Sequence, residues 1–300
     1  MAVKLPVERT IADAYRFAFA AFLSVLGTVW LPYLILILIV FGLIRAVAPD
    51  VPRMLGTGDL DLAAGVELLR LGILVGIFAF IVGSMVTVDL QRKAMATKTG
   101  RPYAFFSLAR PVWRMAGASF LAVVVVGVVA GAALLACFAI WSAAGALGAP
   151  GGLIRAIAIL ATIALIIYIM LRLMFFLPAV VVAENSIGLE RAWILGGHNF
   201  WRILLVSIAI VLPVVTVFHL VSWALLGPLP GLHELGAQGG LKALLRAGLM
   251  HYGPKGYVML FLEIIERILL LGLLNGAVAS AYLAVNSDSA TAAPQAATPQ

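Results

Sequence analysis

Apolar positions in this chain gather into six long runs separated by polar stretches, about Val25 to Val47, Leu69 to Leu90, Ala118 to Leu147, Ile154 to Leu177, Ile203 to Leu226 and Tyr257 to Val285. Each approaches or exceeds the ~20 residues that an α-helix needs to cross a hydrocarbon layer. In lipid a backbone must satisfy its own hydrogen bonds, so the runs predict six transmembrane helices in an all-α membrane protein. Pro32 and Pro213 lie inside two of the runs, a placement that membrane helices tolerate. Gly145 to Gly152 reads as a tight Gly/Pro turn that joins the third and fourth spans as an antiparallel hairpin.

Between the runs the period changes. Over residues 8–23, Ile11, Tyr15, Phe19 and Phe22 share one helical stripe while Glu8, Arg9 and Arg16 fall elsewhere, as in a helix lying among headgroups. Leu241, Leu244, Leu245 and Leu249 predict a second interfacial helix in the longest connection. Residues 286–300 hold small and polar side chains with two prolines and are expected to be a disordered tail. Three segments also overlay without gaps: Tyr15 with Phe22, Trp113 with Phe120, and Trp193 with Phe200, which Trp201 follows. Each pair of aromatics is seven positions apart and precedes two spans. The expected architecture is therefore one polytopic domain, 1–285, of three repeated units (about 8–90, 103–177 and 187–285), each an interfacial amphipathic helix plus a transmembrane hairpin. The aromatics would be its interfacial anchors.

Composition sharpens this picture. Only 11% of the 300 residues are charged and 64% are apolar, too few charges to cover a water-exposed surface. The net charge of +7 then reads as topology, because Lys and Arg accumulate on the cytoplasmic side. Arg92, Lys93, Lys98, Arg101, Arg110 and Arg114 follow the second span with no acid among them and Asp89 just before. That assigns this connection, and by alternation both chain ends, to the cytoplasm. Lys and Arg then divide twelve inside to seven outside, Arg267 within the last span completing the 20. No nucleic-acid partner is expected. The single cysteine, Cys137, excludes an intrachain disulfide and a thiolate metal cluster.

The best-marked stretch runs from Leu177 to Leu205, where an apolar run meets Pro178, a short polar helix follows, and Phe200-Trp201 opens the next run. Arg172, Leu177-Pro178-Ala179, Val181-Val182, Glu184, Gly188, Ala192-Trp193, Leu195, Gly197, Asn199-Phe200-Trp201 and Arg202 together resemble the signature of a group of bacterial inner-membrane proteins. These are the YciC-like proteins and the membrane domain found beside glycerophosphodiester phosphodiesterases. The match covers about 30 residues. It implies a six-helix inner-membrane fold and an association with envelope or phospholipid biology. It supplies no catalytic residue, and the metal-dependent phosphodiesterase domain of some relatives has no counterpart here.

Candidate chemistry is sparse. Arg172 is a charge near membrane depth, which is costly and tends to face a partner or to snorkel. Its readings are a headgroup-level cation, a pair with Glu184 or a backbone carbonyl, or a lipid-phosphate or substrate ligand. Glu190, Arg191, His198, Asn199 and Arg202 cluster on the third polar helix, either as a solvated face or as a phosphate-headgroup site. Glu263, Glu266 and Arg267 open the last span, with Glu263 and Arg267 spaced for an intrahelical ion pair. Asn275 lies between Gly272 and Gly276, and Gly127 with Gly131 gives the third span a second GxxxG face that permits close approach. His233, Glu234 and His251 lack metal-site spacing, and no phosphate loop, nucleophile elbow or carboxylate pair occurs. No cofactor is therefore expected. The chain reads as a non-enzymatic multi-pass protein of the bacterial inner membrane that organises the envelope through anionic phospholipid headgroups, a membrane-protein partner or its own oligomer. The alternative is a transporter or lipid-translocating protein that uses Arg172 and the acids of the last span.

Overall fold

The structure, a computed structural model, describes residues 4–47, 62–96, 108–146, 151–226 and 255–291. Among them are eight helices: α1 (Val7–Ala20), α2 (Phe22–Val47), α3 (Leu62–Ala94), α4 (Arg110–Ala146), α5 (Gly151–Met174), α6 (Leu177–Glu184), α7 (Leu189–Leu226) and α8 (Lys255–Thr291). Six stretches are long and apolar enough to cross a membrane: Phe22–Leu43, Gly65–Ala94, Arg110–Ala143, Ala156–Glu184, Leu189–Leu225 and Phe261–Asn286. The polar loop 48–61, most of the basic connection, the centre of the Gly/Pro turn, and the connection holding Leu241 to Leu249, His233, Glu234 and His251 lie outside the described residues.

Burial follows a rule that alternates along the chain. On α2 the buried positions end at Pro32, whereas on α3 they begin at Val82. On α4 they end at Ala122, on α7 at Val214, and on α8 they begin at Ile268. The helices therefore pack at the starts of α2, α4 and α7 and at the ends of α3 and α8, which is how consecutive spans running in alternate directions meet at one end of a bundle. Successive pairs α2/α3, α4/α5 and α7/α8 pack along each other. The link at 147–150 is far too short, at about 3.5 Å per residue, to carry α5 back to the start of α4, so that pair is antiparallel.

Beyond the packed end, large apolar side chains stand outward: Ile37, Leu38 and Phe41 on α2, Leu134, Leu135 and Phe138 on α4, Leu220 and Trp223 on α7. No residue of the most apolar window of α4 is buried, against 61% for the corresponding window of α8. Helix α8 is accordingly the central post, touched by α1, α2, α3, α6 and α7. The exposed apolar surface of the others needs a lipid solvent.

Several expectations from sequence change here. Only α1 is separated from its span; the interfacial helices expected before the third and fifth spans are continuous with them in α4 and α7. The fourth span does not stop at Pro178. The chain breaks at Phe175-Phe176, restarts with Pro178 in the first turn of α6, and its apolar stretch runs on to Glu184. Pro178 fits there because the first turn of a helix has no N–H bond to lose. Residues 286–291, the first part of the expected tail, continue α8 as helix, and 292–300 lie outside the described residues. A Cβ added at Gly127 or Gly131 would meet nothing within 4 Å, so this GxxxG stripe makes no close approach among the described residues. Gly272 and Gly276 do, against Ala18, Ala14 and Phe17 of α1.

Helix α1 docks by a small-residue edge, Thr10, Ala14 and Ala18 at i, i+4 and i+8, all buried. The aromatic stripe lies beside that edge, and Phe19 is exposed. Tyr15, expected as a headgroup anchor, donates its hydroxyl to the Ala209 carbonyl at 3.2 Å. Asp13 accepts from Ser280 of α8 at 2.9 Å.

Candidate functional site

The sequence reading missed the most buried polar cluster. Lys93 and Asp89, i and i+4 on α3, form an ion pair at 3.2 Å with side chains 6% and 0% exposed. Lys93 Nζ also donates to the Ser24 carbonyl at 3.2 Å and to Thr28 Oγ1. Thr28 donates in turn to Asp89 Oδ2 at 3.0 Å. The ammonium thus sits in an oxygen cage that ties the start of α2 to the end of α3. By sequence Lys93 belongs to the basic cytoplasmic connection; the signal that points to the pair is the Asp-to-Lys spacing. Between the two in sequence, Gln91 donates to the Asn275 side-chain and backbone oxygens at 3.0 and 3.3 Å, locking α3 to α8. Gln91 Oε1 is buried without a hydrogen-bond partner.

Arg172 sits at the seam of α5 and α7. Its Nε donates to the Trp193 carbonyl at 3.3 Å, its Nη1 to the Tyr168 hydroxyl at 2.5 Å, and its guanidinium carbon lies 3.9 Å from the centre of the Trp193 ring. That is a cation–π contact added to two hydrogen bonds. The seam closes because two glycines face it. A Cβ at Gly196 would collide with the Arg172 carbonyl, and one at Gly197 would stand 2.5 Å from the guanidinium. No carboxylate pairs with Arg172 among the described residues.

Glu184, weighed above as its partner, pairs instead with Arg191 at 3.5 Å and accepts from Tyr282 at 3.1 Å. Arg191 also donates to Asn286 at 3.2 Å, so this network fastens the ends of α6 and α8 to the start of α7. Asn185 takes the left-handed conformation that closes α6, and Arg114 donates to its side chain. Glu190 is exposed in the first turn of α7. Glu263 and Arg267 bond each other at 2.7 Å on an exposed face, and Glu266 is half-buried on the same helix. Asn275 also donates to the Leu271 carbonyl at 2.8 Å. The structure therefore brings Glu184 to Arg191 and leaves Arg172, the Glu263–Arg267 pair and Asn275 in separate surroundings.

What it does bring together is a cleft of about 380 Å³ lined by Tyr168, Gly197, His198, Asn199, Phe200, Trp201 and Arg202. The polar end belongs to α7, where Arg202 donates to the Leu5 carbonyl at 2.9 Å and Asn199 accepts from the Leu5 N–H at the same distance. Leu5 itself is 1% exposed, so the segment preceding α1 is gripped by both its peptide groups. His198 is exposed, with Nδ1 3.2 Å from the Ile194 carbonyl. The apolar end is aromatic: Phe200 packs on Tyr168 and Trp201 with centroids 4.8 and 5.1 Å apart, and Trp201 is 76% exposed. Of the other anchors, Trp113 and Phe120 are exposed and Phe22 half-buried.

Helix length sets the level of this cleft. The 38 residues of α7 extend about 57 Å at 1.5 Å per residue, against a hydrocarbon core of roughly 30 Å. Trp201 and Arg202 stand directly before the apolar run that begins at Ile203. No group of three or more His, Cys, Asp or Glu placed to hold a metal ion occurs among the described residues. Comparison of the chain with family models, with curated proteins and with solved structures finds no match.

Proposed function

We propose that this chain is a non-enzymatic protein of the bacterial inner membrane that organises the envelope by contacting anionic phospholipid headgroups at its cytoplasmic face. Both termini would lie on that face. The single observation that carries this reading is the cleft before the apolar run of α7, which Arg202 lines and Arg172 backs through Gly197, neither paired with a carboxylate among the described residues. Uncompensated guanidiniums at a membrane boundary attract phosphate. The sequence resemblance to YciC-like proteins points the same way, and the pairing α2/α3, α4/α5, α7/α8 supports three related hairpin units. The transporter alternative rested on Arg172 and the last-span acids sharing a polar interior; they stand in separate surroundings, so that reading gains nothing from them.

The test is selective retention of lipid. Protein purified from membranes and reconstituted in nanodiscs of mixed phosphatidylglycerol and phosphatidylcholine should enrich phosphatidylglycerol in its annulus, read by native mass spectrometry after disc release. Retention in proportion to the bulk mixture would sink the proposal.

A further inference from the structure

We infer that the cleft between α5 and α7 is a discrete site for one phosphodiester headgroup, with Arg202 as its principal ligand, His198 beside it, and the segment preceding α1 as the strap that sets the arginine. The inference rests on the lipid-contact reading above and makes it specific: one site and a defined ligand set, where a basic face would give only diffuse attraction.

Charge comes first. A guanidinium carries five N–H donors, and Arg202 commits Nη1 to the Leu5 carbonyl. Among the described residues no carboxylate pairs with it. Arg202 lines the cleft, where a phosphate would be met by a planar fork that suits it. Arg172 adds positive charge from behind Gly197, its guanidinium fixed by Trp193 and Tyr168. His198 lines the same cleft and is exposed.

Preorganisation comes second. Leu5 is buried, its N–H is held by Asn199 and its C=O by Arg202, both at 2.9 Å. Asn199 is 3% exposed and is therefore a strap-holder more than a ligand. A side chain as flexible as arginine loses less freedom on binding when one end of its fork is already fixed. The strap thereby prepares the site, which gives a function to a contact between residues 197 apart in the chain.

Shape comes third. The volume of about 380 Å³ falls at the small end of ligand pockets, roughly 300 to 1,000 Å³, enough for a phosphodiester and its glycerol but not for acyl chains. The chains have an exit along Phe200 and the exposed Trp201, at the level where aromatic rings meet the acyl boundary.

The test uses the full-length protein in nanodiscs, with bound phosphatidylglycerol counted by native mass spectrometry. Wild type is expected to hold one phosphatidylglycerol more tightly than the annulus does. Arg202→Gln should weaken that lipid by at least tenfold, and deletion of residues 2–5 by several-fold. Because Arg202→Gln also releases Leu5, His198→Ala provides an independent arm: the exposed His198 ring bonds a carbonyl of its own helix, and its removal should lower occupancy severalfold with an unchanged unfolding midpoint. If wild type prefers phosphatidylglycerol while Arg202→Gln and His198→Ala keep that preference, the headgroup binds elsewhere and the inference fails alone. If wild type shows no preference, the lipid-contact reading fails with it. Displacement of the lipid by millimolar glycerol 3-phosphate would overturn a membrane lipid as the source of the phosphate.

Discussion

Asp89 and Lys93 show how a single pair of residues can be legible in spacing and illegible in meaning. Their separation of four residues is visible in the sequence, but the positive-inside rule draws Lys93 toward the basic connection, and nothing local says that α2 will cover it. Thr28 and the Ser24 carbonyl complete the cage only after α2 and α3 pack. The pair is almost fully buried, so removing one partner leaves a charge that water cannot reach. Asp89→Asn is expected to cost about 3 to 5 kcal/mol, as for other buried pairs broken on one side. Asp89→Asn combined with Lys93→Met should recover most of that loss. Denaturant titration in detergent checks both, and a double variant as unstable as the single would contradict the caged-charge account. Arg172 was conspicuous for the opposite reason: an arginine near an apolar run stands out in any hydropathy plot, yet its partners, the Trp193 carbonyl and ring and the Tyr168 hydroxyl, are settled across two helices.

At the scale of elements, the seam of α5 and α7 depends on two adjacent glycines with different duties. Gly196 faces a backbone atom, the Arg172 carbonyl, whereas Gly197 faces only the far end of the Arg172 side chain. A backbone cannot move aside as a guanidinium can. Gly196→Ala should therefore push the helices apart and lower stability by about 1 to 3 kcal/mol, the usual cost of overpacking. Gly197→Ala should cost clearly less, while shifting Arg172 from Trp193 and altering the tryptophan fluorescence. Thermal unfolding of the two variants side by side decides it, and equal losses would count against the geometry. The Gly127 and Gly131 stripe carries the same pattern in sequence but meets open space. A GxxxG spacing states that close approach is permitted, and the presence of a neighbour is decided elsewhere in the chain.

For the whole molecule, alternation of the buried ends along α2, α3, α4, α7 and α8 fixes the relative direction of the spans. Their direction across the membrane is part of the proposal: the twelve-to-seven division of Lys and Arg favours the packed end in the cytoplasm. A reporter fused after Val285 should stay inside: green fluorescent protein bright, alkaline phosphatase inactive. An active phosphatase fusion would overturn the orientation and, with it, the cytoplasmic lipid face.

The six spans and the Glu263–Arg267 spacing were determined by sequence alone, because hydropathy and helical period are properties of consecutive residues. Which helix stands at the centre, that α1 docks by Ala14 and Ala18 and not by its aromatic stripe, and that Leu5 is held by Asn199 and Arg202 were decided only in the tertiary structure. Within spans made almost wholly of apolar residues, hydrophobicity no longer distinguishes inside from lipid. Small side chains and a few hydrogen bonds between distant residues then choose the neighbours.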